Sequence, residues 1–524
     1  MSLGNRLGTH SFAQIPSVNT PRSMFDRSFA VKDTFDFDYL VPIIADEVLP
    51  GDTINLRLQA FCRLATQKVP IMDNMYIDYF FFFVPNRLVW NNWEKFNGAQ
   101  DNPDDPTDYL TPIIQWGNGG AVPVPGSLAD KFGLPTQVAL GTGEYLSVVS
   151  FPFRAYNLIW NQWFRDQNLQ DSVIVDKDDG PDNPADYVLL KRGKRHDYFT
   201  SCLPWPQKGG AAEILLDEFY QVRSTTGSDG YNLSVLNPSD QYRVLKTGGA
   251  PEYVQMSNVL GAQSQSLGVN VEFGITVNQL REAFMVQSLL ELDARGGTRY
   301  VEILKARFNV VSPDFRLQRP EYLGGGRTYI NSHPVAQTTP ASEGGTPQAN
   351  LAAFGTASAD GIGFAKSFVE HGWIIGLACA RADVTYQQGV DRKWTRRTRY
   401  DYFWPKLQEM GEQPVLQREI WFSPSNATEI FGYQERYAEY RYCRSEIRGL
   451  FRSNAMAPYT TLDQWHLAEE FETAPVLNDE FIVQNTPIER ALAVTNEPHL
   501  LADYFFNYKH ARPMMTYGVP ATIS

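Results

Sequence analysis

No run in this sequence approaches the roughly 18 apolar residues that a membrane-crossing helix needs, so a helical membrane protein is excluded. The opening residues, Met1-Ser2-Leu3-Gly4-Asn5-Arg6, lack the apolar core of a secretory signal, and a product made in the cytoplasm is expected. Cysteine is scarce. Cys62, Cys202, Cys379 and Cys443 are the only four in 524 residues, and they stand far apart without paired spacing. That spacing excludes a zinc knuckle or a disulfide framework and leaves small buried hydrophobes as the expectation. The seven histidines are dispersed, with no His-x-x-x-His pair to hold zinc. Positive charge is also short: 46 Lys plus Arg face 59 Asp plus Glu, for a net −13. A surface that gripped nucleic acid everywhere would be basic, so any such contact is confined to a patch or shared with a basic molecule.

What is present points to β-structure. Aromatics reach 13%, and 39 Gly and 33 Pro interrupt the chain too often for a helical bundle. With 43% hydrophobic and 20% charged residues the chain is not a disordered one. Its length exceeds an ordinary single domain, and it contains no repeat of fixed period.

Residues 1–33 are polar, carry Arg6, His10, Arg22 and Arg27 with no acid before Asp26, and read as an extended arm outside any packed element. Over 53–64 strict alternation predicts a half-buried strand. Ile54, Leu56, Leu58, Ala60, Cys62 and Leu64 share one face, and only Phe61 breaks the polar one. Residues 76–84 predict a strand of another kind: Phe80 to Phe83 put apolar groups on both faces, which a core and a neighbouring subunit would cover. Residues 100–150 read as long loops, and a helix is expected from about Phe153 to Gln167. An acidic stretch near 176–182 precedes the short basic run Lys191-Arg192-Gly193-Lys194-Arg195-His196 and a proline-set corner at 201–209. From 210 to 274 the chain turns Ser-, Gly-, Asn- and Gln-rich and reads as a surface insertion. A helix capped by Asn278 and stopped by Gly296-Gly297 follows, then a short one marked by Tyr300, Leu304 and Phe308. Residues 320–365 read as loop, with Gly324-Gly325-Gly326 as a flexible turn. Strands are expected again at 367–386 and 504–509.

Chemistry-bearing patterns are few. Gly361-Ile362-Gly363-Phe364-Ala365-Lys366-Ser367 looks superficially like a phosphate-binding loop, but Ala365 replaces the required glycine and no helix follows. Asp463 with His466, and Glu370 with His371, have no nucleophile at identifiable spacing, so a structural role is expected for each. The densest basic stretch, Asp391-Arg392-Lys393-Trp394-Thr395-Arg396-Arg397-Thr398-Arg399-Tyr400, alternates cations with aromatics. It suits phosphates and unstacked bases of a single strand, or, as the favoured of the two readings, the acidic surface of a partner subunit. By composition a β-rich glycan hydrolase is the alternative, but it requires a carboxylate pair that cannot be located. A fibre or spike would require repeats or a coiled coil.

Several long strings carry a resemblance. They include Tyr39-Leu40-Val41-Pro42-Ile43, Pro70-Ile71-Met72-Asp73-Asn74, Phe80 through Trp90, Leu203-Pro204-Trp205-Pro206-Gln207-Lys208-Gly209, Asp293-Ala294-Arg295-Gly296-Gly297-Thr298-Arg299-Tyr300 and Leu317-Gln318-Arg319-Pro320-Glu321-Tyr322-Leu323. Tyr386-Gln387-Gln388-Gly389 and Gly432-Tyr433-Gln434-Glu435-Arg436 continue the series. In this order they resemble the major capsid proteins of gokushoviruses (Microviridae) over nearly the whole chain, with 210–274 matching least.

The resemblance implies an all-β protein, a single eight-stranded antiparallel jelly roll of the viral-capsid type with long insertions carrying short helices, and no enzyme and no cofactor. It implies a virion shell of about sixty copies around circular single-stranded DNA, assembled in the cytoplasm of a bacterial host. The partners implied are a small basic DNA-associated protein, a scaffolding protein and a host cell-surface receptor, without membrane insertion. The expected organisation is an arm (1–33), a first jelly-roll part (34–209), a protrusion (210–274) and the remaining jelly roll (275–524). Candidate DNA contacts are Arg392, Lys393, Arg396, Arg397 and Arg399, with Lys509 and Arg512. The host-attachment insertion is marked by Gly210, Gly230, Tyr231, Gly249 and Gly274.

Overall fold

The computed structural model describes residues 21–117, 122–210, 212, 224–225, 232–236, 242–247, 254–256, 277–339, 348–453, 458 and 460–518. The chain divides into two compact units, 1–206 with 295–524, and 207–294.

The strands of the larger unit begin with β1 (Ser23–Asp26), β2 (Phe29–Phe35), β3 (Val41–Val48), β4 (Thr53–Gln67) and β5 (Met75–Pro85), followed by a hairpin of β6 (Ile113–Gly117) and β7 (Tyr145–Val149). In the smaller unit β8 (Ser224–Thr225), β9 (Asn232–Leu236), β10 (Tyr242–Thr247) and β11 (Val254–Met256) form a four-stranded sheet in which each strand pairs with the next. The larger unit resumes with β12 (Glu321–Ala336), β13 (Leu351–Ser367), β14 (Gly372–Ala382), a second hairpin of β15 (Glu412–Leu416) and β16 (Ile430–Glu435), and finally β17 (Leu500–Arg512).

Its main sheet runs β3-β14-β5-β12-β13-β4-β17-β1, antiparallel throughout, with β2 also on β17. The path curls because β12 changes partner midway: Glu321–Ile330 pairs with β5 and Asn331–Ala336 with β13. Two faces therefore look at each other, as in a jelly roll. The alternating face of β4 and that of β17 (Tyr504, Phe506, Tyr508) meet Ile77, Tyr79, Phe81 and Phe83 of β5. Edge contacts join the halves, with ring centroids 6.3 Å apart for Tyr79–Tyr504 and 5.6 Å for Phe81–Phe364. Burying each such ring stabilises by about 1.5–3 kcal/mol. Phe61, the break in the β4 pattern, lies exposed on the outer face.

The second face of β5 is buried as expected, but not by a neighbouring subunit. Phe82 and Val84, with Ile375, Leu377 and Cys379 of β14, form another core with Phe151, Phe153, Tyr156 and Trp160. The helix supplying these spans Phe151–Ile159 and continues as a π-helical turn, Trp160–Phe164, starting two residues before the expected point.

Five expectations are corrected. Residues 320–365 are not loop throughout: β12 takes up 321–336 and β13 begins at 351, and these are the longest strands of the main sheet. The triple glycine is no flexible turn. It pairs with Tyr79–Phe81, beside a register shift at Tyr322/Gly324, and a Cβ on Gly325 would overlap the carbonyl oxygen of Tyr79. Glycine here answers to close backbone approach within a strand. Gly363 is alike, since a Cβ would overlap the carbonyl oxygen of Leu56, and the Gly361–Ser367 string lies inside β13. The arm is packed from residue 23 on, where β1 and β2 cover β17; residues 1–20 lie outside the described residues. Asn278 is inside a helix that spans Val277–Arg295, not before it; the stop holds, with Gly297 left-handed. The short helix spans Tyr300–Phe308 as the spacing predicts. Within 100–150 the hairpin β6/β7 and a helical turn at Leu128–Lys131 interrupt the loops. Cys62, Cys202 and Cys379 are buried free thiols, and Cys443 is exposed.

Candidate nucleic-acid interface

The basic stretch follows β14 and is built from one-turn 3-10 helices at Arg392–Trp394, Arg399–Asp401 and Pro405–Leu407. Two of its arginines hold it in place. Arg392 ion-pairs with Glu419 at 3.5 Å and Glu439 at 3.9 Å and donates to the Pro414 carbonyl at 2.9 Å. Arg396 reaches Glu439 at 3.4 Å and lies over the Tyr440 ring at 4.1 Å. Glu419 is buried, which raises its pKa, while Arg392 and a hydrogen bond from Tyr198 (3.0 Å) oppose the rise. Asp401 accepts from the backbone of Arg397 (2.9 Å) and Thr398 (2.7 Å), and these bonds keep its carboxyl below the usual range.

The remaining cations face outward. Lys393 pairs with Asp391 at 3.0 Å beside an exposed Trp394. Arg397 and Arg399 are exposed and have no ion-pair partner among the described residues. Arg399 stands over Tyr400 (4.8 Å) and Trp404 (5.8 Å), and Trp404 donates to the Arg399 carbonyl at 2.8 Å. Trp394 is 76% exposed and Tyr400 57%, so flat ring faces and free guanidinium groups alternate along one ridge.

Lys509 and Arg512 are not joined to this ridge by any hydrogen bond or ion pair among the described residues. Lys509 points outward from β17 opposite Asn55. Arg512 is engaged with buried Asp52 at 2.8 Å, next to His510. Of the insertion residues, Gly210 is described and exposed; Gly230, Tyr231, Gly249 and Gly274 lie outside the described residues. The acid–histidine pairs do not form: Glu370 binds Arg87, and His466 is buried, its pKa lowered by that burial, accepting at Nδ1 from Ala468 N at 3.1 Å. Among the described residues no three His, Cys, Asp or Glu are grouped to hold a metal ion, and no helix is long and apolar enough to cross a membrane.

One buried acid sets a pH dependence. Asp38, in a left-handed turn before β3, accepts from Thr486 N (2.6 Å) and Thr486 Oγ1 (2.8 Å), yet burial pushes its carboxyl up to about 6. An unfolded aspartate titrates near 3.9, so between about 4 and 6 the folded chain holds a proton the unfolded chain has lost. The stability this proton contributes is complete below about pH 4 and lost as pH rises through 6. Asparagine also tolerates the left-handed turn. From pH 4 to pH 7 wild type should therefore lose on the order of 3 kcal/mol relative to Asp38→Asn. Urea unfolding at both pH values checks this, and a difference that does not change with pH would count against it.

The curled antiparallel sheet with long connections between its strands is the all-β architecture of a jelly-roll protein. The chain belongs to the family of phage capsid proteins: the family model "Capsid protein (F protein)" matches residues 13–522. Capsid protein VP1 of Bdellovibrio phage phiMH2K is 55% identical across this whole chain and 99% of that relative. VP1 of Chlamydia phage 1 is 40% identical over 99% of both chains, and VP1 of Spiroplasma virus 4 is 34% identical over 98% of this chain and 97% of that one. All three are gokushoviruses, and the chain is a major capsid protein of this Microviridae type, a structural component of the virion and not an enzyme.

Proposed function

We propose that the protein closes into an icosahedral shell of about sixty copies around a circular single-stranded DNA genome, and that residues 393–404 touch the strand. The observation that carries the DNA contact is the ridge itself: free Arg397 and Arg399 alternate with exposed Trp394, Tyr400 and Trp404, pairing phosphate neutralisation with base stacking. Lys393 adds charge at its edge, while Arg392 and Arg396 position the loop through Glu419 and Glu439. A net charge of −13 cannot neutralise a packaged strand, which supports a small basic DNA-associated protein sharing the interior. Lys509 and Arg512 have weaker support.

Exposed apolar residues favour association between copies. Phe308, Val311 and Phe315 in the larger unit are all more than half exposed, as are Val277, Phe284 and Met285 on the helix of the smaller unit. A scaffolding protein would hold such surfaces apart until assembly in the bacterial cytoplasm. The insertion, whose strands pair only among themselves, is assigned to contact with a host cell-surface receptor.

Arg397→Gln with Arg399→Gln should lower DNA retention in particles. The slope of log affinity for single strands against log salt should flatten by about 1.4, near 0.7 for each lost phosphate contact. Unchanged packaging with failed subunit association would assign the ridge to contact between acidic copies instead.

A further inference from the structure

Behind the outer face of β5 and β14 lies a cavity of about 660 Å³, within the range of small-molecule sites. Its wall is rich in cations. Lys194, Arg195 and Arg295 pair with Glu469, Asp383 and Glu412, and the remaining arginines are less completely balanced. Among the described residues Asp78 is the single carboxylate for three guanidinium groups: Arg192 at 2.6 Å, Arg327 at 2.7 Å and Arg381 at 3.0 Å. Arg192 and Arg381 both line the cavity. Arg165 also lines it and has no ion-pair partner among the described residues; its side chain reaches only the Gln170 carbonyl, at 2.9 Å. Arg299 pairs with Glu302 at 3.1 Å. The other acid on the wall, Asp166, is turned to its own loop, accepting from Asn168 N at 2.8 Å.

Three donors are left over. The Nε atoms of Arg165, Arg299 and Arg381 are buried without a hydrogen-bond partner among the described residues, and the Arg381 side chain is only 4% exposed. Unsatisfied buried donors are uncommon and unfavourable, and guanidinium groups gathered this closely repel one another. Burial, then the charge of Arg299, lowers the pKa of Arg165; burial, then Arg192, does the same to Arg381. An anion would relieve both conditions.

Aromatic residues form another part of the wall. Arg192 already covers Phe80 and Phe164, at 4.8 and 5.5 Å from their centroids. Tyr322 is backed by Phe82 at 5.5 Å and Trp163 at 5.8 Å and stays 42% exposed, so its ring is open to a flat partner.

We propose that this cavity is a nucleotide site, with the phosphate on Arg165, Arg299 and Arg381 and the base against Tyr322. It is separate from the 393–404 ridge and does not depend on it. The nucleotide could belong to a packaged strand or be free, and the two sources share the chemistry.

The test titrates the full-length unassembled protein with thymidine 5′-monophosphate, thymidine, inorganic phosphate and a short oligothymidylate. The monophosphate should bind at least tenfold more tightly than thymidine or phosphate alone. Tyr322→Leu should reduce it to the level of phosphate, while Tyr322→Phe retains it. Arg165→Gln should weaken monophosphate and phosphate at least tenfold, Arg165→Lys should weaken them less, and the melting temperature without ligand should be unchanged or raised, because an uncompensated charge is removed. An oligomer that outcompetes the monophosphate, with the same loss in Arg165→Gln, identifies the strand as the source; an oligomer that does not compete identifies free nucleotide. Phosphate binding as tightly as the monophosphate, or variants with unchanged affinity, overturns the proposal. The Arg397→Gln/Arg399→Gln protein should bind the monophosphate as wild type does, so the ridge can fail while this site stands; a loss there would place the binding on the ridge and overturn the cavity.

Discussion

Arg154→Ala is expected to destabilise the unassembled protein by about 3–5 kcal/mol, the range for removing one partner of a buried ion pair. Arg154 sits on the helix that covers β5 and β14, and neither its side chain nor that of Asp182 is exposed at all. Its Nε donates to Asp182 at 2.7 Å, and Nη1 donates to the carbonyls of Val89 and Asp178, each at 2.9 Å. Tyr187 OH completes the carboxylate at 2.8 Å, and burial followed by that hydrogen bond raises the tyrosine's pKa. One guanidinium thus joins two chain segments, at Val89 and at 178–182, to the helix. Alanine would leave the buried Asp182 carboxylate with only the Tyr187 hydroxyl among its side-chain partners, and the Val89 carbonyl without this donor. Most domains hold only 5–15 kcal/mol in total, so the loss should show as a much lower urea midpoint and a poor yield of particles. In Arg154→Met/Asp182→Leu no charge is stranded, and much of the stability should return. A single variant within about 1 kcal/mol of wild type would show that the pair does not hold the helix.

This cluster also marks what the sequence could not show. Alternation in β4 is legible because one face is buried and the other wet, and the odd residue, Phe61, is indeed exposed. The four phenylalanines of β5 announce two covered faces, but nothing local says that residues 151–164, far along the chain, provide the second cover. β12 and β13 were illegible for the opposite reason. Their Gly, Ala and Ser have little strand signature, and the glycines matter where the backbone carbonyls of Tyr79 and Leu56 approach them. The basic stretch was visible as a stretch. Which of its arginines are free depends on Glu419 and Glu439, 27 and 43 residues onward from Arg392 and Arg396. The cavity arginines at 165, 192, 299 and 381 share no window at all. Only Asp78, a lone acid within an aromatic strand, hinted that cations would gather there.

Replacing 215–268 by a short Gly-Ser linker is expected to leave particle assembly intact and abolish adsorption to host cells. Residues 207–294 form a compact unit of their own, and among the described residues β8 to β11 pair only with one another, so the exchange removes no described strand from the main sheet. The stem of the unit lies outside the exchanged segment. Lys208 N donates to the Leu290 carbonyl at 3.3 Å, Ala212 N to Gln287 Oε1 at 3.3 Å, and Gln287 also hydrogen-bonds Gln207. The two ends of the excursion are therefore already held together, and a shorter loop between them closes at little entropic cost, since loop closure changes by only about 0.6 kcal/mol per halving or doubling of length. Natural excursions of this length on a rigid scaffold are where recognition tends to reside. Electron microscopy of the exchanged protein and a cell-binding assay on the same particles separate the outcomes. Particles that fail to form would make the segment part of the shell, held by contact between copies. Particles that form and still adsorb would move host recognition elsewhere on the capsid.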